Sequence, residues 1–156
     1  METVLITGAA RRLGGFIAES LASDGCFVWI HYFTHEKDAF SLREKIRADG
    51  GRADCICCDL RKTSEIDRML FTISGSVDGK LTTLVNNASV FLRKPLKETS
   101  AAEWEQVMDT NLKAVWYLSK SFAAEFPTAK RIISIGDASI SNGMNRSAIY
   151  GISKYA

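Results

Sequence analysis

Thr3-Val-Leu-Ile-Thr-Gly-Ala-Ala-Arg-Arg-Leu-Gly-Gly-Phe-Ile17 is the stretch whose reading decides the fold. Thr3–Thr7 is a β-rich run with no helical periodicity, and it stops at Gly8. From Leu13 the pattern changes: Leu13, Phe16, Ile17 and Leu21 recur at helical spacing as far as Ser23. A strand, a glycine turn and a helix therefore follow one another. Gly8 permits the tight strand-to-helix turn, and Gly14 lets the helix pack close to the sheet. The helix N-terminus then presents backbone N–H groups to an anion such as a pyrophosphate. An ordinary glycine turn remains the alternative on this feature alone.

The same alternation continues outward. Cys26–Tyr32, Ala53–Cys58, Leu81–Val85 and Ile132–Ile135 read as further strands, and Lys37–Ala48 and Thr63–Ile73 as helices. Ser100-Ala-Ala-Glu103 is a capping box opening one long helix, with an apolar stripe through Trp104, Val107, Met108, Val115, Leu118 and Phe122. Trp104 and Trp116 are expected to be packing residues. Five almost uniformly apolar strands separated by helices predict an α/β fold: a Rossmann-type doubly wound parallel sheet, buried on both faces, as one domain over 1–156.

Composition agrees. The chain has 156 residues, 20 Lys plus Arg against 18 Asp plus Glu, and 46% hydrophobic residues, which suits a globular domain rather than a disordered one. A net charge of +2 without basic runs gives no electrostatic case for nucleic acid or a membrane surface. No apolar stretch approaches the roughly 18 residues of a membrane span. The N-terminus lacks a basic segment before its apolar run, so a cytoplasmic location is expected. Cys55 and Cys58 form a C-x-x-C pair, but inside a strand-like run, which favours packing over redox or zinc chemistry.

The second strand ends His31-Tyr32-Phe33-Thr34-His35, without the carboxylate that would accept from an NAD ribose. Arg12 stands where glycine is more usual. A missing carboxylate plus an added guanidinium favours a 2′-phosphate, so the expected cofactor is NADP(H), with Arg12 reaching the phosphate.

With these residues in place, the chain resembles the short-chain dehydrogenase/reductase superfamily along its whole length. Thr7-Gly8…Gly14 looks like its cofactor motif, and Asp59-Leu60 is similar to its adenine-contacting pair. Asn86-Asn87-Ala88 resembles its N-N-A-G motif, with Ser89 in place of glycine. Asn111 matches its structural and proton-relay Asn, and Tyr150-Gly-Ile-Ser-Lys154 its Y-x-x-x-K pair. Arg12-Leu13-Gly14, His31-Tyr32, Asn87-Ala88-Ser89-Val90-Phe91, and Asp137 at a position usually held by Ser are similar to the pteridine-reductase branch. Thr34 departs from that branch, which often has Arg there.

The resemblance implies NADP(H) contacts from Gly8, Arg12, Leu13, Gly14, His31, Tyr32, Asp59, Leu60, Asn87, Ala88, Ser89 and Lys154. It also implies substrate contacts from Phe91, Asp137 and Tyr150, with Phe91 stacking on a flat pterin. Tyr150 and Lys154 share a helix face, and an ammonium beside a phenol favours phenolate, lowering its pKa from about 10. An incidental i,i+4 pair is the alternative. Asp137 directly follows a strand, where ligands bind in open α/β sheets. Its carboxylate suits an aminopyrimidine edge better than a ketone, although a turn-forming Asp beside Gly136 is the alternative. Asn111 lies on the inward stripe of its helix, where an amide needs partners.

The reading that follows is NADPH-dependent reduction of a pterin or dihydropterin/dihydrofolate C=N bond, with Asp137, Tyr150, Lys154 and Asn111 as the catalytic set and no metal. A generic NADP-dependent carbonyl reductase acting on ketoacyl or sugar substrates, or an inactive NADP-binding fragment, are the alternatives. Superfamily members continue beyond a Lys such as Lys154. The chain is therefore expected to lack C-terminal strands, to be poorly soluble and inactive alone, and to form a homo-oligomer at full length.

Overall fold

A computed structural model describes residues 2–76, 80–138 and 147–155. Its strands are β1 (Thr3–Ile6), β2 (Phe27–Tyr32), β3 (Arg52–Cys57), β4 (Thr83–Asn86) and β5 (Arg131–Ser134). They form one five-stranded sheet in the order β3-β2-β1-β4-β5, every neighbouring pair parallel. The helices are α1 (Arg12–Ser23), α2 (Glu36–Ala48), α3 (Thr63–Ser74), α4 (Ala101–Met108), α5 (Ala114–Glu125) and α6 (Ala148–Tyr155).

Side chains alternate across the sheet with the strand period. Leu5, Phe27 and Trp29 pack into a core with Ile66, Leu70, Leu118 and Phe122 from α3 and α5. Val4, Ile6, Val28 and Ile30 point the other way, into a second core with Ala18, Leu42 and Ile46 from α1 and α2. The two cores are the reason β1, β2 and β4 are buried along their whole length. The edges differ from that expectation: β5 is exposed along its length and β3 is only partly buried. Each of these strands pairs on one side only.

The long helix also differs from its expected form. A π turn at Asp109–Lys113 separates α4 from α5 and inserts an extra residue into the helical register. The inward stripe is consequently Val107, Asn111, Ala114, Leu118 and Phe122. Trp104 and Trp116, expected to pack, lie 40% and 58% exposed. The Ser100 cap does form its reciprocal box: the Glu103 N–H donates to Ser100 Oγ and the Ser100 N–H to the Glu103 carboxylate.

The strand order reverses between β1 and β4, which is where a doubly wound sheet opens a crevice. Close packing is tightest there. Gly8 has φ +62, and a Cβ on it would lie 2.9 Å from the Cα of Ala88. A Cβ on Gly14 would fall 2.6 Å from both Gly8 O and Asn87 Nδ2. Main-chain atoms cannot swing aside as a side-chain end can. Gly14→Ala should therefore destabilise the fold by about 1–3 kcal/mol, read as a lower urea midpoint. An unchanged midpoint would contradict the packing described.

Candidate active site

Short hydrogen bonds hold the crevice in shape. Thr7 Oγ1 donates to Val85 O (3.3 Å) and accepts from the N–H groups of Asn87 (2.9 Å) and Ala88 (3.0 Å). Asn87 Nδ2 returns to Thr7 O (2.8 Å) and Gly8 O (3.1 Å). The glycine turn is thereby tied to the end of β4. On its other side the Gly8 N–H donates to His31 Nδ1 at 3.0 Å, and His31 Nε2 lies 3.0 Å from Cys58 O. The Gly8 bond needs a lone pair on Nδ1, which leaves the proton on Nε2 for the Cys58 carbonyl. Both ring nitrogens of His31 are thus taken by main chain. His31, expected to contact the cofactor, braces the turn through both ring nitrogens.

The turn opens into a cleft of about 540 Å³, within the usual range of ligand sites. Gly8, Arg12, Leu13, Gly14, Tyr32, Asp59, Leu60, Asn87, Ala88 and Ser89 all line it, as does His31. Asp59 is buried and held by Arg61, whose Nε and Nη2 donate to its two oxygens at 2.8 and 2.7 Å. That ion pair keeps the Asp59 carboxyl below its usual pKa. The Tyr32 hydroxyl donates to Glu36 Oε1 at 3.2 Å, and burial followed by this bond pushes its pKa up to about 12.

Two cationic residues stand at the turn. Arg12 has φ +55, a left-handed backbone that costs a non-glycine residue roughly 1–2 kcal/mol. Arg11, which the sequence reading passed over, extends to the end of β2, where its Nη2 hydrogen-bonds His35 Nε2. Arg11, Thr34 and His35 line the cleft. The signal for Arg11 was its place in the Arg-Arg pair, but only the turn geometry distinguishes the two side chains.

Beyond Ser89 lies a second group of side chains. The Tyr150 hydroxyl donates to Asp137 Oδ2 at 2.8 Å. Phe91, 56% exposed, meets the Tyr150 ring edge-on with centroids 4.7 Å apart. Lys154 Nζ donates to Ile135 O at 3.1 Å and sits 6.0 Å from the Tyr150 ring centre. The sequence reading expected Lys154 to lower the Tyr150 pKa. The structure reverses this: burial first, then the hydrogen bond and charge of Asp137, push the phenol up to about 12, offset in part by a hydrogen bond with Ser89. A carboxylate accepting the phenol proton stabilises the neutral form. Burial also lowers the Lys154 pKa, while Asp137 raises it.

Asn111 is buried in the π turn. Its Oδ1 accepts from Val90 N–H (2.8 Å), and its Nδ2 donates to Val90 O (3.0 Å) and Ser153 Oγ (3.0 Å). The expected main-chain partners are present. The expected lead toward Lys154 is replaced by Ser153, whose hydroxyl turns back to Tyr150 O at 2.8 Å. Asn111 therefore fixes the loop after β4 against α6. The Cys55 thiol donates to Ala39 O at 3.2 Å, and Cys58 is buried in a core. Burial pushes their pKa values up to about 11 and 12, so both remain thiols.

Comparison with known proteins accounts for this arrangement. The chain matches the family model "short chain dehydrogenase" over residues 2–156 and belongs to that family. It is 29% identical over 156 residues to hydroxynaphthalene reductase-like protein Arp2 of Metarhizium majus, covering 99% of the chain and 58% of that protein. A tropinone reductase homologue of Arabidopsis thaliana is 30% identical over 162 residues, with 99% and 57% covered. The chain thus spans less than two thirds of these relatives. Among solved structures, landomycin C-6 ketoreductase LanV with bound NADP and rabelomycin superposes with a TM-score of 0.92 at 29% identity, over 99% of this chain and 65% of that one. A metagenomic short-chain oxidoreductase in complex with NADP gives 0.89 at 29% identity, over 99% and 70%. The superfamily resemblance read from the sequence is correct; none of these relatives carries a pteridine reductase name.

His31 generates a pH prediction. Burial lowers its pKa to about 4, against a bond to Cys58 that raises it. The unfolded chain, with a His pKa near 6.5, takes up the proton first on acidification. Stability is therefore complete above about pH 6.5 and falls toward pH 4, by about 2 kcal/mol at pH 5. Urea unfolding of wild type should show this loss. His31→Asn should be weaker at neutral pH with a flatter slope; parallel slopes would contradict the brace.

Proposed function

We propose that the protein is an NADP(H)-dependent short-chain reductase acting on a carbonyl carbon of a flat, cyclic substrate. The observation that carries the reading is the approach of Tyr150, Asp137 and Phe91 to one another beside Ser89, which also lines the glycine-turn cleft. The cleft suits a dinucleotide. Gly8 and Gly14 line the cleft, α1 offers its N-terminal amides, and Arg11 and Arg12 supply the charge a 2′-phosphate requires. The names of the relatives, a hydroxynaphthalene reductase-like protein, a tropinone reductase homologue and a landomycin C-6 ketoreductase, support a cyclic ketone as substrate.

When bound, the cofactor supplies the hydride. Tyr150 supplies the proton: with its pKa near 12 it stays a phenol at neutral pH, and a carbonyl oxygen that replaces Asp137 as its acceptor can take that proton. Asp137 holds the hydroxyl in place until then. Lys154, anchored on Ile135 O, lies on the ring side of Tyr150 and stabilises the phenolate left after transfer. Phe91 offers an exposed ring against which a planar substrate lies. Asn111 positions this group by fixing Val90 against α6.

One observation favours a second reading, reduction of a pterin or dihydrofolate C=N bond. Asp137 is a carboxylate at the side of Tyr150, and a carboxylate pairs with an aminopyrimidine edge better than with a ketone. Oligomer formation and a cytoplasmic location belong to the same proposal. Among the described residues no helix is long and apolar enough to cross a membrane.

Tyr150→Phe should lower NADPH-dependent turnover by about 10²–10⁴ and leave NADPH affinity unchanged. Faster turnover of aromatic bicyclic ketones than of dihydropterin selects the first reading, and the reverse order the second. Wild-type turnover of neither, with NADPH bound, would overturn both.

A further inference from the structure

We infer that Ser153 is a positioning residue for the proposed reaction: its hydroxyl, held between the Asn111 carboxamide and the Tyr150 carbonyl, sets where Tyr150 stands relative to the loop through Val90. The inference rests on the proposed reductase and deepens it. Ser153 lies on α6, one turn after Tyr150 and beside Lys154, and is only 3% exposed. A helical serine can return its hydroxyl to a carbonyl one turn back and need no other partner. Ser153 makes that bond, donating to Tyr150 O at 2.8 Å, and its oxygen also accepts from Asn111 Nδ2 at 3.0 Å. Asn111 is equally committed. Its Nδ2 also donates to Val90 O, and its Oδ1 accepts from the Val90 N–H. With both amide protons placed, the Ser153 hydroxyl has one direction: it accepts from Asn111 and donates to Tyr150.

Val90 stands between the two loop residues that meet Tyr150. Phe91 touches its ring, with centroids 4.7 Å apart, and Ser89 hydrogen-bonds its hydroxyl. Asn111 grips Val90 by both main-chain groups, so the π turn fixes the loop's side of this contact. Ser153 carries the same fix across to α6, at the carbonyl of Tyr150 itself. Asp137 reaches the Tyr150 hydroxyl from the chain after β5. Removing the Ser153 hydroxyl leaves a buried Asn111 N–H without its acceptor. The Phe91 ring contact that remains is less directional than a hydrogen bond. Proton transfer needs the Tyr150 hydroxyl within hydrogen-bond reach of the substrate oxygen. No residue of α6 lines the glycine-turn cleft. Ser153 therefore acts on turnover and not on dinucleotide binding.

The test compares wild type with Ser153→Ala and with Ser153→Thr, which keeps a hydroxyl able to bond a carbonyl one turn back. Tyrosine isotopically labelled at Cζ reports Tyr150 by NMR without turnover, its resonance assigned with Tyr150→Phe. That resonance should move in Ser153→Ala and return toward wild type in Ser153→Thr. With tetralone or dihydrobiopterin as substrate, whichever wild type reduces, Ser153→Ala should lower kcat about 10- to 100-fold. The solvent deuterium isotope effect on kcat should rise as proton transfer becomes limiting, while the NADPH binding stoichiometry holds. Ser153→Thr should recover most of the rate. An unmoved resonance, an unchanged kcat, an isotope effect that does not rise, a parallel loss of kcat and stoichiometry, or a threonine variant no better than alanine would each overturn the role of Ser153. If Ser153→Ala does not fold, Ser153→Cys, which keeps a weak donor and acceptor, is read by the same criteria. Wild-type turnover of neither substrate would overturn the reductase reading. A Tyr150 resonance that still moves in Ser153→Ala would then leave the placement of Tyr150 by Ser153 standing.

Discussion

The site rests on one set of hydrogen bonds: the Thr7 hydroxyl and the Asn87 carboxamide, which lock the glycine turn after β1 to the chain leaving β4. These two strands flank the reversal of strand order, where the sheet opens. Gly8 and Gly14 allow the approach because neither carries a Cβ. His31 supports the turn from the β2 side, using a neutral imidazole with both nitrogens engaged. Arg11 and Arg12 on the turn and Ser89 two residues beyond Asn87 hang from this knot.

The far end of the site depends on a different device. A π turn places Asn111 inward, and its carboxamide joins Val90 to Ser153. Ser153 lies beside Lys154 and one turn from Tyr150, so the loop after β4 and the first turns of α6 are fixed together. Asp137 and burial hold Tyr150 as a phenol, while burial weakens the charged form of Lys154. This electrostatic arrangement keeps the proton on Tyr150.

Much of this was legible in the sequence because it follows from local rules. The uniform apolar runs at Thr3–Ile6 and Phe27–Tyr32 identify buried parallel strands, and the switch to helical spacing at Leu13 locates the turn. Ser100 and Glu103 announce their cap directly. What could not be read are features set by tertiary contact. The π turn at Asp109–Lys113 is one, since no residue type marks such an insertion, and the exposure of Trp104 and Trp116 is another. The sign of the Tyr150 shift depends on whether Asp137 or Lys154 meets the hydroxyl, a distance that i,i+4 spacing does not contain. The bracing of the turn by His31 and the place of Arg11 along the cleft are tertiary features of the same kind.

The account's central claim is that the cleft at the locked glycine turn receives the dinucleotide. Backbone amide NMR of the chain titrated with NADPH measures this most directly. The account predicts shifts concentrated at Gly8, Arg11, Arg12, His35 and Asn87–Ser89. Shifts confined to the α1–α2 groove around Phe16, Ile46 and Gly51, or no shifts at saturating NADPH, would contradict it.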